Sequence, residues 1–118
     1  MTIQRQQTNK RMSQSVIHQG VIYLSGQVAE NMDGNAEQQT FEILQKIEHL
    51  LAQAGSDQEH ILSATIYLKN IDHDFTGMNT AWDCWLPMGY APARATVEAK
   101  MCDANILVEI SVIAALPV

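Results

Sequence analysis

Asn35-Ala36-Glu37-Gln38-Gln39-Thr40-Phe41-Glu42-Ile43-Leu44-Gln45-Lys46-Ile47-Glu48-His49-Leu50-Leu51-Ala52-Gln53-Ala54-Gly55 carries the clearest helical period in the chain. Thr40, Leu44, Ile47, Leu51 and Ala54 recur three or four residues apart, joined by Phe41, Ile43 and Leu50. Together they make one broad stripe for burial. Asn35 stands where a side-chain oxygen can take a free backbone N–H, and Gln38 sits where a capping-box partner reaches back. Gly55 marks the stop, because glycine enters the left-handed conformation without steric cost. A helix with one apolar stripe needs an apolar layer to cover it, and the flanking segments must supply that layer.

On the N-terminal side, Val16 to Gln27 reads as a hairpin, two β-rich runs around a Gln19-Gly20 turn, with Asn31 to Gly34 as a loop. On the C-terminal side, Ile61 to Leu68 is rich in β-branched and aromatic residues and predicts a buried strand. Asp72 is placed to cap a second helix with Phe75, Met78, Trp82 and Trp85 along one side. Pro87, Gly89 and Pro92 then break the chain. Ala93–Met101 and Ile106–Ala115 read as two further strands, and the short Cys102-Asp103-Ala104-Asn105 link suits an antiparallel hairpin. The order ββαβαββ predicts one α+β domain over residues 1–118, a mostly antiparallel sheet with two helices on one face. Its other face must be solvated or packed against another subunit, and the apolar strands favour a homo-oligomer.

Composition agrees with a globular chain. Of 118 residues, 47% are apolar and 17% charged, enough core material for a domain of this size. The net charge of −6 and the scattering of the seven Lys and Arg leave no basic stripe for phosphates, which disfavours nucleic acid as a partner. Cys84 and Cys102 are too few and too far apart for a disulfide scaffold or a Cys-x-x-Cys site. The polar start lacks the apolar core of a signal peptide, and no run reaches the ~18 apolar residues of a membrane span. The expected location is the cytoplasm.

The chemistry concentrates near the C-terminus. Arg94 follows a Pro-containing loop at the mouth of a strand, in Ala91-Pro92-Ala93-Arg94-Ala95-Thr96-Val97-Glu98. Its planar guanidinium can hold a carboxylate with two parallel bonds, though it cannot act as a base. A surface or salt-bridge role is the alternative. Glu109, between Val108 and Ile110 in an apolar strand, needs a partner or water. It reads as a structural ion pair with Arg94 or Lys100, as an edge residue facing water, or as a group that handles water and protons. Whether it shares a face with Arg94 depends on strand register, and the two could also meet across a subunit boundary. Ser25 and Gly26 end a strand where backbone N–H groups are expected to be free for a carboxylate or imine nitrogen, or simply form a turn. Asn79, polar amid apolar helix positions, lines the same cleft or is satisfied locally. Cys84 reads as a small core hydrophobe. Cys102 lacks an activating His, and His18, His49, His60 and His73 share no metal spacing. Trp82 and Trp85 read as core or interface packing.

These features resemble the RidA/YjgF family. The order ββαβαββ, Leu24-Ser25-Gly26-Gln27, Asn79, Pro92 to Glu98 and Val108 to Ala115 carry the likeness over nearly the whole chain. Ala81-Trp82-Asp83-Cys84-Trp85 is more like the YoaB-like branch. The resemblance implies a chorismate-mutase-like fold and a homotrimer with a barrel-like core and ligand clefts between subunits. It also implies hydrolysis of reactive 2-imino acids and their enamines, such as 2-aminoacrylate, 2-iminopropanoate and 2-iminobutanoate, to 2-keto acids and ammonia. No metal or organic cofactor is implied. By the same likeness Arg94 anchors the substrate carboxylate, Glu109 handles water, and Ser25, Gly26, Asn79, Thr96 and Met12 line the site. Two positions depart from the family pattern: Met12 stands where many relatives have a Tyr, and Thr96 where they have a Cys. The alternatives are a non-catalytic trimer that binds keto or carboxylic acids as a sensor or regulator, and an endoribonuclease.

Overall fold

A computed structural model describes residues 2–118. In chain order the elements are β1 (Gln4–Thr8), β2 (Ser13–His18), β3 (Val21–Leu24), α1 (Ala36–Ala54), a 3-10 turn (Gln58–His60), β4 (Ile61–Leu68), α2 (Ile71–Trp85), β5 (Ala93–Glu98) and β6 (Val108–Ala115). The strands form one sheet in the order β1-β2-β3-β6-β4-β5, antiparallel throughout except where β5 runs parallel to β4. Both helices cover the same face. Ile22, Ile66, Leu68, Ile110 and Val112 meet Ile43, Leu44, Ile47 and Leu51 of α1 there, in the α+β layering the sequence predicts.

α1 begins and ends as its sequence directs. Asn35 Oδ1 accepts from Gln38 N at 2.9 Å and Gln38 Oε1 accepts from Asn35 N at 2.8 Å, while Gly55 takes φ 93°. Thr40 fits the buried stripe by donating its hydroxyl to Ala36 O at 2.7 Å. Phe41 departs from expectation and points outward, 53% exposed, because it lies at the margin of the stripe. On α2 the cap is Asn70, whose Oδ1 accepts from His73 N at 3.1 Å, and not Asp72. Asp72 and Asp74 sit inside the first turn, where negative charge suits the helix dipole. Phe75 also faces outward on this helix.

Two features of the sheet differ from the sequence reading. β1 adds a strand before the expected hairpin. Gln4-Arg5-Gln6-Gln7-Thr8 carries no apolar alternation, and none is needed at an edge, where pairing with β2 rests on the backbone. The other difference concerns β5 and β6, which do not form a hairpin. β4 lies between them and pairs with both, Ile66 with Thr96 on one side and with Ile110 on the other. The link of residues 99–107 arches over the end of β4, held by Ala99 N to Leu68 O at 2.9 Å and Lys69 N to Leu107 O at 3.0 Å. The physical reason is burial: β4, with Ile61, Ala64, Ile66 and Leu68 all buried, is satisfied as an interior strand, whereas exposed β5 tolerates the edge.

The face away from the helices is open. Tyr23 pairs with Ile113 on it, Thr65 with Ser111, and Tyr67 with Glu109. Tyr23 and Ile113 remain 46% and 36% exposed. Among the described residues no helix is long and apolar enough to cross a membrane.

Candidate functional site

Arg94 is the second residue of β5 and shares register with Ala64 of β4. Alternation along the strand sends Arg94, Thr96 and Glu98 to the helix-covered face. Their contacts agree. Glu98 Oε1 accepts from Ile71 N at 3.0 Å, the first helical N–H of α2. The Arg94 guanidinium donates from Nη1 to Asn79 Oδ1 at 2.7 Å and lies 3.9 Å from Met78 Sδ. Its carbon stands 5.4 Å from the ring centroid of Trp82. Trp82, read from sequence as packing, is therefore also the surface on which the cation rests. The spacing Asn79 to Trp82, three residues on a helix, was the available signal. Thr96 Oγ1 is buried against this side without a hydrogen-bond partner.

Glu109 occupies the other face. It pairs in register with Tyr67, half-buried, two strands from β5, or roughly 10 Å at ordinary strand spacing. The ion-pair alternative closes accordingly within one chain: among the described residues Glu109 pairs with neither Arg94 nor Lys100. The close side-chain pairs of basic and acidic type among the described residues are His60–Asp57 and His73–Asp74. Gly26 faces Glu109, and a Cβ there would lie 2.9 Å from the carboxyl carbon, so glycine makes room for the acid. Gln27 joins this segment to β6 through Gln27 N to Ile110 O at 2.8 Å and Ile110 N to Gln27 O at 3.1 Å.

Ser25 differs from expectation. Its N–H is not free but donates to Gln14 O at 2.9 Å, and its hydroxyl donates to Ser13 O. Met12 is exposed in the β1–β2 turn, at this same end of the sheet. The site residues thus fall into two groups. Arg94, Asn79 and Thr96 lie at the β5 edge on the helix side; Glu109, Gly26, Ser25 and Met12 lie on β6, β3 and the turns beyond. A single chain keeps them apart.

Other candidates are weaker. A groove of about 780 Å³ between α1 and the β1–β2 hairpin is lined by Gln7, Gln14, Gln27, Lys46, His49 and Gln53 among others. Lys46, its one cation of fixed charge, already donates to Val28 O at 2.8 Å. Cys84 is exposed, not core, and Cys102 is exposed as expected of a loop. Among the described residues no three His, Cys, Asp or Glu converge as metal ligands.

Residues 2–116 match the protein family described as Endoribonuclease L-PSP. The RutC family protein YoaB of Escherichia coli K12 is 43% identical over 115 residues, 98% of this chain and 99% of that protein. A RutC family protein of Haemophilus influenzae is 44% identical over 115 residues, with 97% and 98% covered. A solved structure of a YjgF-family member from Neisseria meningitidis has a TM-score of 0.95 at 41% identity, covering 100% of this chain and 98% of its own. Yeast Mmf1, at 21% identity and a TM-score of 0.88 over 98% of this chain and 100% of its own, shares the fold. With the family matched from residue 2 to 116 and these relatives matched almost end to end, the chain belongs to the RidA/YjgF/L-PSP family, beside the YoaB-like RutC proteins.

Proposed function

We propose that this protein hydrolyses small 2-imino acids and their enamine tautomers to 2-keto acids and ammonia, at sites completed between copies of the chain in a homotrimer. One observation carries the reading: Arg94 is held at an open strand edge by uncharged partners, with in-plane N–H groups left for an anion. A guanidinium so placed suits the carboxylate of the substrate. Glu109 lies on the opposite face and two strands away, so a neighbouring copy must supply it to the carboxylate held by Arg94. The open sheet face, with Tyr23 and Ile113 exposed, is the surface such copies would share.

In this scheme water attacks the imine carbon while Glu109 takes its proton. The carboxyl passes that proton to nitrogen to give a carbinolamine. It then takes the carbinolamine hydroxyl proton and returns it to the amino nitrogen, so the C–N bond breaks and ammonia leaves as the carbonyl forms. Ser25, Gly26, Asn79, Thr96 and Met12 shape the surroundings: Gly26 by giving Glu109 space, and Asn79 by fixing Arg94. Met12, without a phenol hydroxyl, leaves that wall apolar. The family likeness implies a cytoplasmic protein without a metal or organic cofactor. The ribonuclease wording of the family description finds little support in a chain of net charge −6.

The test generates 2-iminobutanoate with a dehydratase and follows 2-oxobutanoate release. Release should accelerate well above the buffer rate, and Arg94→Ala should lose at least a hundredfold in kcat/KM, about 3 kcal/mol of transition-state stabilisation. Wild-type release no faster than buffer would overturn the reading. If carboxylates still bind, and bind equally to Glu109→Gln, the protein is a sensor instead.

A further inference from the structure

We propose that Trp82 is a positioning residue for Arg94: its indole is the floor that fixes the plane of the guanidinium and so decides which edge of the fork meets a carboxylate. The inference rests on Arg94 being the carboxylate-binding group.

Arg94 rises from an exposed edge strand, where a long side chain would ordinarily sample many rotamers. Three positions on α2 form a cradle instead. Trp82, a buried residue only 4% exposed, lies beneath the cation, Asn79 accepts one N–H at the side, and the Met78 sulfur fills the remaining gap. Spacings of three and four residues put Met78, Asn79 and Trp82 on one helix flank. The floor is itself braced. Trp85 leans on Trp82 with centroids 6.0 Å apart and planes at 52°, and its indole N–H donates to Glu48 Oε1 of α1 at 3.0 Å.

The choice of partners matters chemically. A carboxylate in place of the indole would hold Arg94 equally well and neutralise it. An aromatic face attracts the cation through its quadrupole and leaves the full charge for a ligand. Asn79 and the Met78 sulfur together take Nη1, so the donors still paired in plane are those of the Nε–Nη2 edge, which can form two parallel bonds to one carboxylate. Order in the free protein means that this edge is set before the ligand arrives.

Two measurements on the full chain test this. In the ligand-free protein, nitrogen-15 relaxation of the Arg94 Nε–H, assigned by its loss in Arg94→Lys, should report an ordered group. It should stay ordered in Trp82→Phe and become mobile in Trp82→Leu; equal order in Trp82→Leu overturns the proposal. Calorimetric titration with 2-oxobutanoate should show Kd rising about tenfold in Trp82→Leu and about threefold in Trp82→Phe. In an Arg94→Lys background the same Trp82→Leu change should cost less than twofold. An equal loss in both backgrounds would make Trp82 mere core filling and overturn the proposal. Thermal melting of each variant sets the working temperature well below Tm, and Trp82→Met replaces Trp82→Leu if the latter does not fold. If wild type fails to bind 2-oxobutanoate, the carboxylate reading falls, and the relaxation comparison alone decides whether Trp82 holds Arg94.

Discussion

At Gly26, space rather than backbone freedom is the requirement. A methyl group there would press on the Glu109 carboxyl carbon at 2.9 Å and on its Cγ at 3.1 Å, so the acid would have to swing aside. Gly26→Ala should therefore fold, with a stability loss of about 1–2 kcal/mol by chemical denaturation. It should also lower kcat at least tenfold if Glu109 handles the water. Added to Glu109→Gln, the same substitution should cost almost nothing further in kcat, because the group it displaces is already inert. Arg94 and Glu109 were legible as residues, since a fork donor after a Pro loop and an acid inside an apolar strand are chemically conspicuous. Their relation was not. Which face each occupies depends on β4 lying between β5 and β6, a long-range pairing to which no local pattern points. Trp82 was rightly read as core packing, but aromatic spacing on a helix does not show that a buried ring also carries a cation.

Among the elements, α1 was the most legible because every signal in it is local. Its cap, box and stop are recovered in the structure, and so is its stripe except at Phe41. Asn35→Ala should cost about 1 kcal/mol, by loss of the bond to Gln38 N. Gly55→Ala should cost a similar amount, since alanine must adopt φ 93°. Each should lower Tm by a few degrees in a thermal melt and leave kcat/KM unchanged. β1 was invisible for the converse reason: its five residues are polar, and its partner is backbone. The parallel β4–β5 pair was misread because a four-residue link between two β-rich runs ordinarily makes a hairpin. Here the connecting segment is lengthened by residues assigned to the strands, Ala99 to Met101 before it and Ile106 and Leu107 after it, enough to pass over β4.

For the whole molecule the decisive feature is the split between the two groups of site residues. If Arg94 of one copy works with Glu109 of its neighbour, two inactive proteins should repair each other. Arg94→Ala and Glu109→Gln, unfolded together and refolded as an equal mixture, should recover about a quarter of wild-type activity, because each factor of a site is intact in half the chains. Separate refolding followed by mixing should recover none while subunits do not exchange. No recovery in the co-refolded sample, once native mass spectrometry has shown mixed trimers, would place both groups in a single chain. Ile113→Glu tests the shared surface directly: a charge on the open sheet face should shift the mass measured by light scattering from trimer to monomer.

The placement of Arg94 and Glu109 on opposite faces of one sheet has a further outcome in heredity. If Arg94 of one copy works with Glu109 of its neighbour, a chain defective in both would not simply be silent beside a normal one; it would spoil each pairing it entered. With the two alleles expressed equally, only about one pairing in four would keep both normal contributors. Such an allele would behave as dominant, although the protein it encodes folds and assembles normally.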